Sequence, residues 1–256
     1  MYTVTKISST IVKKKFVLNF LVITFYILTI SCQKSDFEKV YNPSVQSQDF
    51  TGWSSVSNNA SWTISEDGRD ASQSVHTFNN PIILVSNNSY SEVLIEGTFL
   101  ATRDDDNVGM VFGLKSPLTV GEADHDFYLY DWRGVDQAYS GDVGYEGHAL
   151  SRVNGSFSGS GEMIDYFWAR TDTGSSGKFD VLETHYGDGR GWDTNTTHAF
   201  KIYYTSSRIK VIIDGSTIFD VSGSYQAGRV GLYLFSQNDV TFSSLTLTTG
   251  FDPNSF

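Results

Sequence analysis

Arg208-Ile209-Lys210-Val211-Ile212-Ile213-Asp214-Gly215-Ser216 is the stretch whose reading decides the fold class. A run suited to a pleated surface meets an Asp-Gly pair, and both central residues of a type I′ turn need positive φ. The stretch predicts a β-hairpin. Similar runs lie on both sides: Val93 to Ala101, Val108 to Leu114, Phe127 to Trp132, Met163 to Ala169, Phe179 to Thr184, Ala199 to Tyr204, Arg229 to Phe235 and Val240 to Leu247. Beyond the N-terminal apolar segment no stretch holds a 3.6-residue period, and 23 glycines punctuate the runs instead. Short strands without intervening helices predict an all-β fold of two packed antiparallel sheets, one sandwich over residues 51–250 with a short tail at 251–256.

The length of 256 residues suits one large all-β domain, and 39% hydrophobic residues suffice for its core. Acids outnumber bases by 29 to 18, which excludes nucleic-acid binding driven by phosphate contacts. The single cysteine excludes an internal disulfide framework and a multi-thiolate zinc site.

That cysteine sits at an address signal. Lys13, Lys14 and Lys15 precede an apolar run from Phe16 to Ile30. At a rise of ~1.5 Å per residue the run covers about 22 Å, short of the ~30 Å hydrocarbon core. A basic flank and a short apolar stretch describe a signal peptide. Leu28-Thr29-Ile30-Ser31-Cys32 resembles the lipobox of bacterial lipoproteins. The expectation is a lipoprotein signal peptide over 1–31, lipidation of Cys32 and a polar tether over 32–50. The protein would then sit in the cell envelope, surface-exposed or periplasmic, touching a bacterial membrane through its lipid anchor alone.

The search for catalysis is mostly negative. A glycosidase on such a sandwich needs two carboxylates facing one cleft. Glu92 and Glu96 have same-face spacing but flank Leu94 at a strand entry, and Glu162 and Asp165 would fall on opposite faces of an extended strand. No Gly-x-Ser-x-Gly elbow occurs, and His76, His125, His148, His185 and His198 form no helical ligand pair. The expected protein is not an enzyme. The alternative is a polysaccharide-processing enzyme, glycosidase or lyase, or its accessory subunit.

The positive signal is Arg103-Asp104-Asp105-Asp106-Asn107. Successive carboxylates repel one another, so a hairpin gains nothing from them without a compensating cation or solvent. Calcium takes about six to eight oxygen ligands and favours short acidic loops, which makes Asp104, Asp105, Asp106 and Asn107 the metal candidates for Ca2+. Asp126 or Asp131 could approach across the sheet. A solvated, charged hairpin tip is the other reading of the same residues.

Residues 133–161 form a long, glycine-containing segment with weak strand signal, where recognition is expected. Trp132, Tyr139, Tyr145, His148 and Arg152 are the candidate ligand-binding residues, with aromatic rings to stack on sugar faces and polar groups to take hydroxyls. For Trp132, and also for Tyr139 and Tyr145, the competing reading is core packing.

A family resemblance runs through the chain. Thr102-Arg103-Asp104-Asp105-Asp106-Asn107-Val108-Gly109-Met110-Val111-Phe112-Gly113 resembles the Asp-rich loop and following strand of the thrombospondin C-terminal domain. Phe127-Tyr128-Leu129-Tyr130-Asp131-Trp132, Gly191-Trp192 and Tyr225-Gln226-Ala227-Gly228-Arg229-Val230-Gly231-Leu232-Tyr233-Leu234-Phe235-Ser236-Gln237 continue it in order. The resemblance implies a concanavalin A-like (L-type lectin-like) jelly roll that binds calcium and acts outside the cell in adhesion, through a glycan or an extracellular protein, without catalysis. The family's two bridging cysteines would fall near Thr77 and Thr249, and both are absent here. The oligomeric state is not legible in the pattern.

Overall fold

The computed structural model describes residues 40–56, 61–78, 80–115, 125–175 and 177–256. The expected signal peptide and Cys32 lie outside the described residues. In chain order come β1 (Ser44–Ser47), β2 (Ser54–Ser55), β3 (Trp62–Ile64), β4 (Asp70–Gln73), β5 (Pro81–Tyr90) and β6 (Val93–Ala101). Then follow β7 (Asn107–Leu114), β8 (His125–Arg133), β9 (Gln137–Tyr139), β10 (Asp142–Gly144) and β11 (Gly147–Gly155). A short helix α1 (Gly159–Met163) runs into a π-helical turn (Ile164–Trp168). The chain continues through β12 (Phe179–Tyr186), β13 (Thr197–Tyr204), β14 (Arg208–Ile213), β15 (Ser216–Ser222), β16 (Gly228–Phe235) and β17 (Val240–Thr249).

One sheet has the order β15-β14-β13-β6-β17-β4-β3, with β1 also on β17; the other runs β12-β11-β8-β7-β16-β5-β2. Between them Val108, Met110 and Phe112 of β7 pack with Ile95 and Phe99 of β6 and Ile202 of β13. The second sheet is buried on both faces. Val111, Phe127, Leu129, Tyr233 and Phe235 point away from the sandwich interior and are covered by Met163, Ile164, Phe167 and Trp168. This is why β7 is buried at every position, whereas β14 alternates between buried and half-buried residues. The predicted Asp214-Gly215 turn joins β14 to β15 with φ of 47° and 80°.

Three sequence expectations need correction. The run from Met163 to Ala169 is helical, not a strand: Glu162 accepts the Ser158 backbone N–H at 2.5 Å, tying down the helix start. Met163, Ile164, Phe167 and Trp168 then turn to one side at helical spacing. The segment 133–161 holds β11, an interior strand between β8 and β12. The polar stretch read as tether is ordered before residue 51, because Ser44–Ser47 pairs with Thr246–Thr249. The tail is also docked, with Phe256 stacked on Tyr203 at 3.9 Å.

The topology sets the position of the site. β4, β17 and β6 are neighbours in one sheet, and β5, β16 and β7 are neighbours in the other. The connections β4–β5, β6–β7 and β16–β17 therefore cross between the sheets side by side at one end.

Candidate functional site: an acidic cleft between two aromatic rings

The middle crossover, residues 236–239, supports the acidic loop beside it. Gln237 Oε1 accepts the Asp106 N–H at 2.8 Å, and Gln237 Nε2 donates to the Arg103 carbonyl at 2.7 Å. Asp104 sits in the left-handed region at φ 62°, a conformation that Asp tolerates better than most residues. Its Oδ1 accepts the Asp105 N–H, and its Oδ2 stands 3.3 Å from Nε2 of His76 on the β4–β5 crossover. His76, Asp104 and Asp106 each bring one ligand-type atom within 4.8 Å of the others.

Asp106 is the buried member. Its Oδ1 accepts from Trp168 Nε1 at 2.9 Å and Arg133 Nη1 at 3.4 Å, leaving Oδ2 as the donor atom for a ligand. Burial pushes the Asp106 carboxyl up to about 6, against the pull of Arg133 and the Trp168 indole. Arg133 is itself fully buried, lies over the Trp168 ring at 4.4 Å and donates to the Trp168 carbonyl at 2.8 Å. Burial and the neighbouring Arg170 bring its guanidinium down to about 10.

His76, Asp104, Asp106 and Trp168 line a cleft of about 420 Å³, flanked by Phe78 and Tyr139, which are 71% and 54% exposed. The Phe78 ring packs edge-on to His76 at 4.0 Å, and the Tyr139 ring meets Trp168 at 6.2 Å. Two carboxylates with an imidazole beside them fit a divalent cation. The oxygens suit calcium, whereas ligation by the nitrogen of His76 would favour a transition metal.

The sequence-derived candidates divide. Asp104 and Asp106 meet in the cleft. Asp105 turns the other way: its carboxylate accepts from Gln137 Nε2 and its carbonyl from Gly134 N–H. Asn107 is fully buried, donating through Nδ2 to the Phe167 carbonyl at 2.9 Å. Asp126 pairs with Arg152, and Asp131 with Arg170 at 2.8 Å, so neither reaches the cleft. Of the aromatic set, Tyr139 borders the cleft, while Tyr145 stacks on Tyr186.

Trp132 and His148 do not present a ligand platform. Pleat parity turns both into the sandwich, where their rings stack at 4.5 Å and His148 is only 3% exposed. Burial brings the His148 imidazole down to about 3. Arg152 is spent on the Phe127 carbonyl, the Asp126 carboxylate and the face of Tyr128. Sequence reasoning missed His76, Phe78, Trp168 and Gln237, since no local spacing links them to the acidic loop.

A jelly roll of two facing antiparallel sheets, with its crossovers clustered at one end, defines the chain as a concanavalin A-like sandwich. It belongs to the thrombospondin C-terminal region family, whose model matches residues 57–249. Thrombospondin-2 of Gallus gallus and of Homo sapiens are each 31% identical over 202 residues. Those alignments cover 72% of this chain but 16% of the relatives, so the chain spans about a sixth of their length. Among solved structures, the carbohydrate binding module CBM66 from Bacillus subtilis superposes with a TM-score of 0.52 at 14% identity, covering 78% of this chain and 96% of that one. The exoplasmic/lumenal domain of VIP36 in a Ca2+/Man-bound form superposes at 0.51 and 10% identity, covering 83% and 92%. These two likenesses establish the fold.

Proposed function

We propose that the chain is a non-catalytic glycan-binding or adhesion module of a lipid-anchored envelope protein, and that calcium orders its ligand site. The observation that carries this reading is the convergence of His76, Asp104 and Asp106 between the exposed rings of Phe78 and Tyr139. Asp104 and Asp106 would supply carboxylate oxygens to the ion, with water and ligand oxygens completing its sphere. The rings would stack on the apolar face of a sugar while carboxylates and amides take its hydroxyls. The Ca2+/Man-bound form of VIP36 and the carbohydrate binding module are two structural neighbours compatible with this chemistry.

Ser44 of β1 pairs with Thr249, at the end of β17 remote from the acidic loop. The enzyme alternative finds a carboxylate pair in the cleft, but both acids come from one loop with ligand atoms within 4.8 Å. Glycosidases flank the scissile bond with their two carboxyl groups, which calls for acids from facing walls of a cleft.

The test is calcium titration into the chelator-stripped chain by calorimetry, followed by glycan-array binding with calcium and with EDTA. Saturable calcium binding with calcium-dependent glycan capture supports the proposal. Calcium binding absent from a folded chain removes the metal, and release of reducing sugar from a captured glycan removes the non-catalytic role.

A further inference from the structure

A second groove lies at the opposite end of the sandwich. β6 is nine residues long, with the acidic loop beyond its C-terminal end and Tyr90 just before its N-terminal end. At ~3.3 Å per residue the two places are about 30 Å apart. The groove encloses about 370 Å³, within the range of small-ligand sites, and runs between Trp53 and Tyr90.

Its construction is unusual for a sheet margin. In the pairing of β5 with β16, Ser86, Asn87 and Asn88 stand opposite the single residue Val230, between the registered pairs Val85–Gly231 and Ser89–Arg229. The bulge is pinned from inside: the buried Ser86 hydroxyl accepts the Val230 N–H at 3.2 Å and donates to the Asn88 carbonyl at 2.9 Å. Bulges of this kind re-aim side chains and recur beside binding sites. Here the bulge pushes Asn87 and Asn88 outward, where both are exposed. Asn87 Nδ2 donates to the Gly52 carbonyl, which fixes the amide, and Asn88 and Tyr90 both line the groove. Gln46 on β1 closes the groove.

We infer that this groove binds a neutral saccharide without a metal ion. Trp53 and Tyr90 both pack against the sandwich core yet remain part-exposed, so each ring is held rigidly while offering surface to the groove. Rigid aromatic rings beside exposed amides match the alternation of apolar ring faces and vicinal hydroxyls in a pyranose. No lysine or arginine lines the groove, and Asp49 does, so a uronic or sialic acid is disfavoured by charge. Metal is not needed, because Asp49 is the groove's one carboxylate among the described residues and its Oδ1 already takes the Thr51 N–H at 2.9 Å and hydroxyl at 2.6 Å. This inference is independent of the cleft at the acidic loop, and its test keeps the two apart.

The full chain is held in EDTA, which silences a calcium site, and titrated with mannotriose, cellotriose and laminaritriose, with trigalacturonate as the anionic control. Calorimetry and saturation-transfer NMR follow binding. At least one neutral trisaccharide binds, while Asn88→Ala and Gln46→Ala each weaken it about tenfold, the effect of one lost hydrogen bond. Both residues are exposed, so the melting temperature stays at the parent value, and Asp104→Ala leaves this binding intact. Failure of all three neutral sugars to bind in EDTA overturns the inference. So does equal binding of trigalacturonate, or unchanged affinity in both groove variants.

Discussion

Nε2 of His76 lies 3.3 Å from Oδ2 of Asp104, although one residue leaves β4 and the other follows β6. The contact exists because the β16–β17 crossover runs between those two connections and locks the acidic loop through Gln237, which bonds both Asp106 and Arg103. A charge cluster that would otherwise repel itself is thereby held in one geometry around one point.

Asp104→Ala should weaken calcium binding at least about tenfold, since it removes one of two charged oxygen ligands. Asp105→Ala should leave it within about threefold and instead lower thermal stability, because the Asp105 carboxylate holds Gln137. Calorimetry and a melting scan on both variants decide the matter. Loss of calcium binding in Asp105→Ala alone would place the ion elsewhere.

Cation affinity should depend on pH through Asp106. Burial raises its carboxyl to about 6 in the metal-free protein, so the folded chain carries a proton there at pH 5 that an unfolded chain releases. A cation must displace that proton. Affinity should be flat above about pH 7 and fall by up to about tenfold per unit below pH 6. Titrations at pH 7.5, 6.5 and 5.5 measure this, and a flat profile would exclude Asp106 as a ligand.

Stability should also carry an acid-labile contribution from His148. Its folded-state value is depressed to about 3 against 6.5 for the ordinary imidazole, so the unfolded chain takes the proton first. The contribution is present above pH 6.5 and is lost as pH falls from 6.5 towards 3. His148→Gln should show a flatter decline of melting temperature across that window. An identical decline in parent and variant would assign the acid sensitivity to other groups.

Arg170→Met should cost about 3–5 kcal/mol, because it strands a buried carboxylate. Asp131 is fully buried and its Oδ2 accepts from Arg170 Nε at 2.8 Å. The double variant Arg170→Met with Asp131→Leu should recover most of the loss, since an apolar pair removes both charges together. Urea unfolding of the three proteins gives the comparison, and an additive double variant would show that the pair is not coupled.

Tyr139→Ala should reduce calcium-dependent glycan capture without moving the melting temperature, as the ring is 54% exposed. Undiminished capture would shift the ligand away from the cleft between Phe78 and Tyr139.

The strands were legible where apolar runs met glycine or Asp-Gly punctuation, as at β6, β7, β14 and β16. β11 was not. Its polar residues suggested a loop, yet Arg152 finds partners on β8, and the His148 side chain pairs with the Tyr130 hydroxyl at 2.9 Å. The helical segment was missed because Phe167 and Trp168 look like strand residues until the outer face of β7, β8 and β16 is present to receive them. Asp104 and Asp106 were found from local charge repulsion, but the opposite aim of Asp105 depends on the backbone at φ 62° and on Gln137.

The sequence by itself determined the all-β class, the Asp214-Gly215 hairpin, the family and the acidic loop, because each is written in short-range periodicity, turn chemistry or ordered motifs. The tertiary structure alone decided that Trp132 and His148 face inward and that His76, Phe78 and Tyr139 surround Asp104 and Asp106. The physical reason is that pleat parity relative to a core, and the adjacency of crossovers between two sheets, are properties of strand order. Strand order is settled by long-range pairing, which no local stretch of chain records.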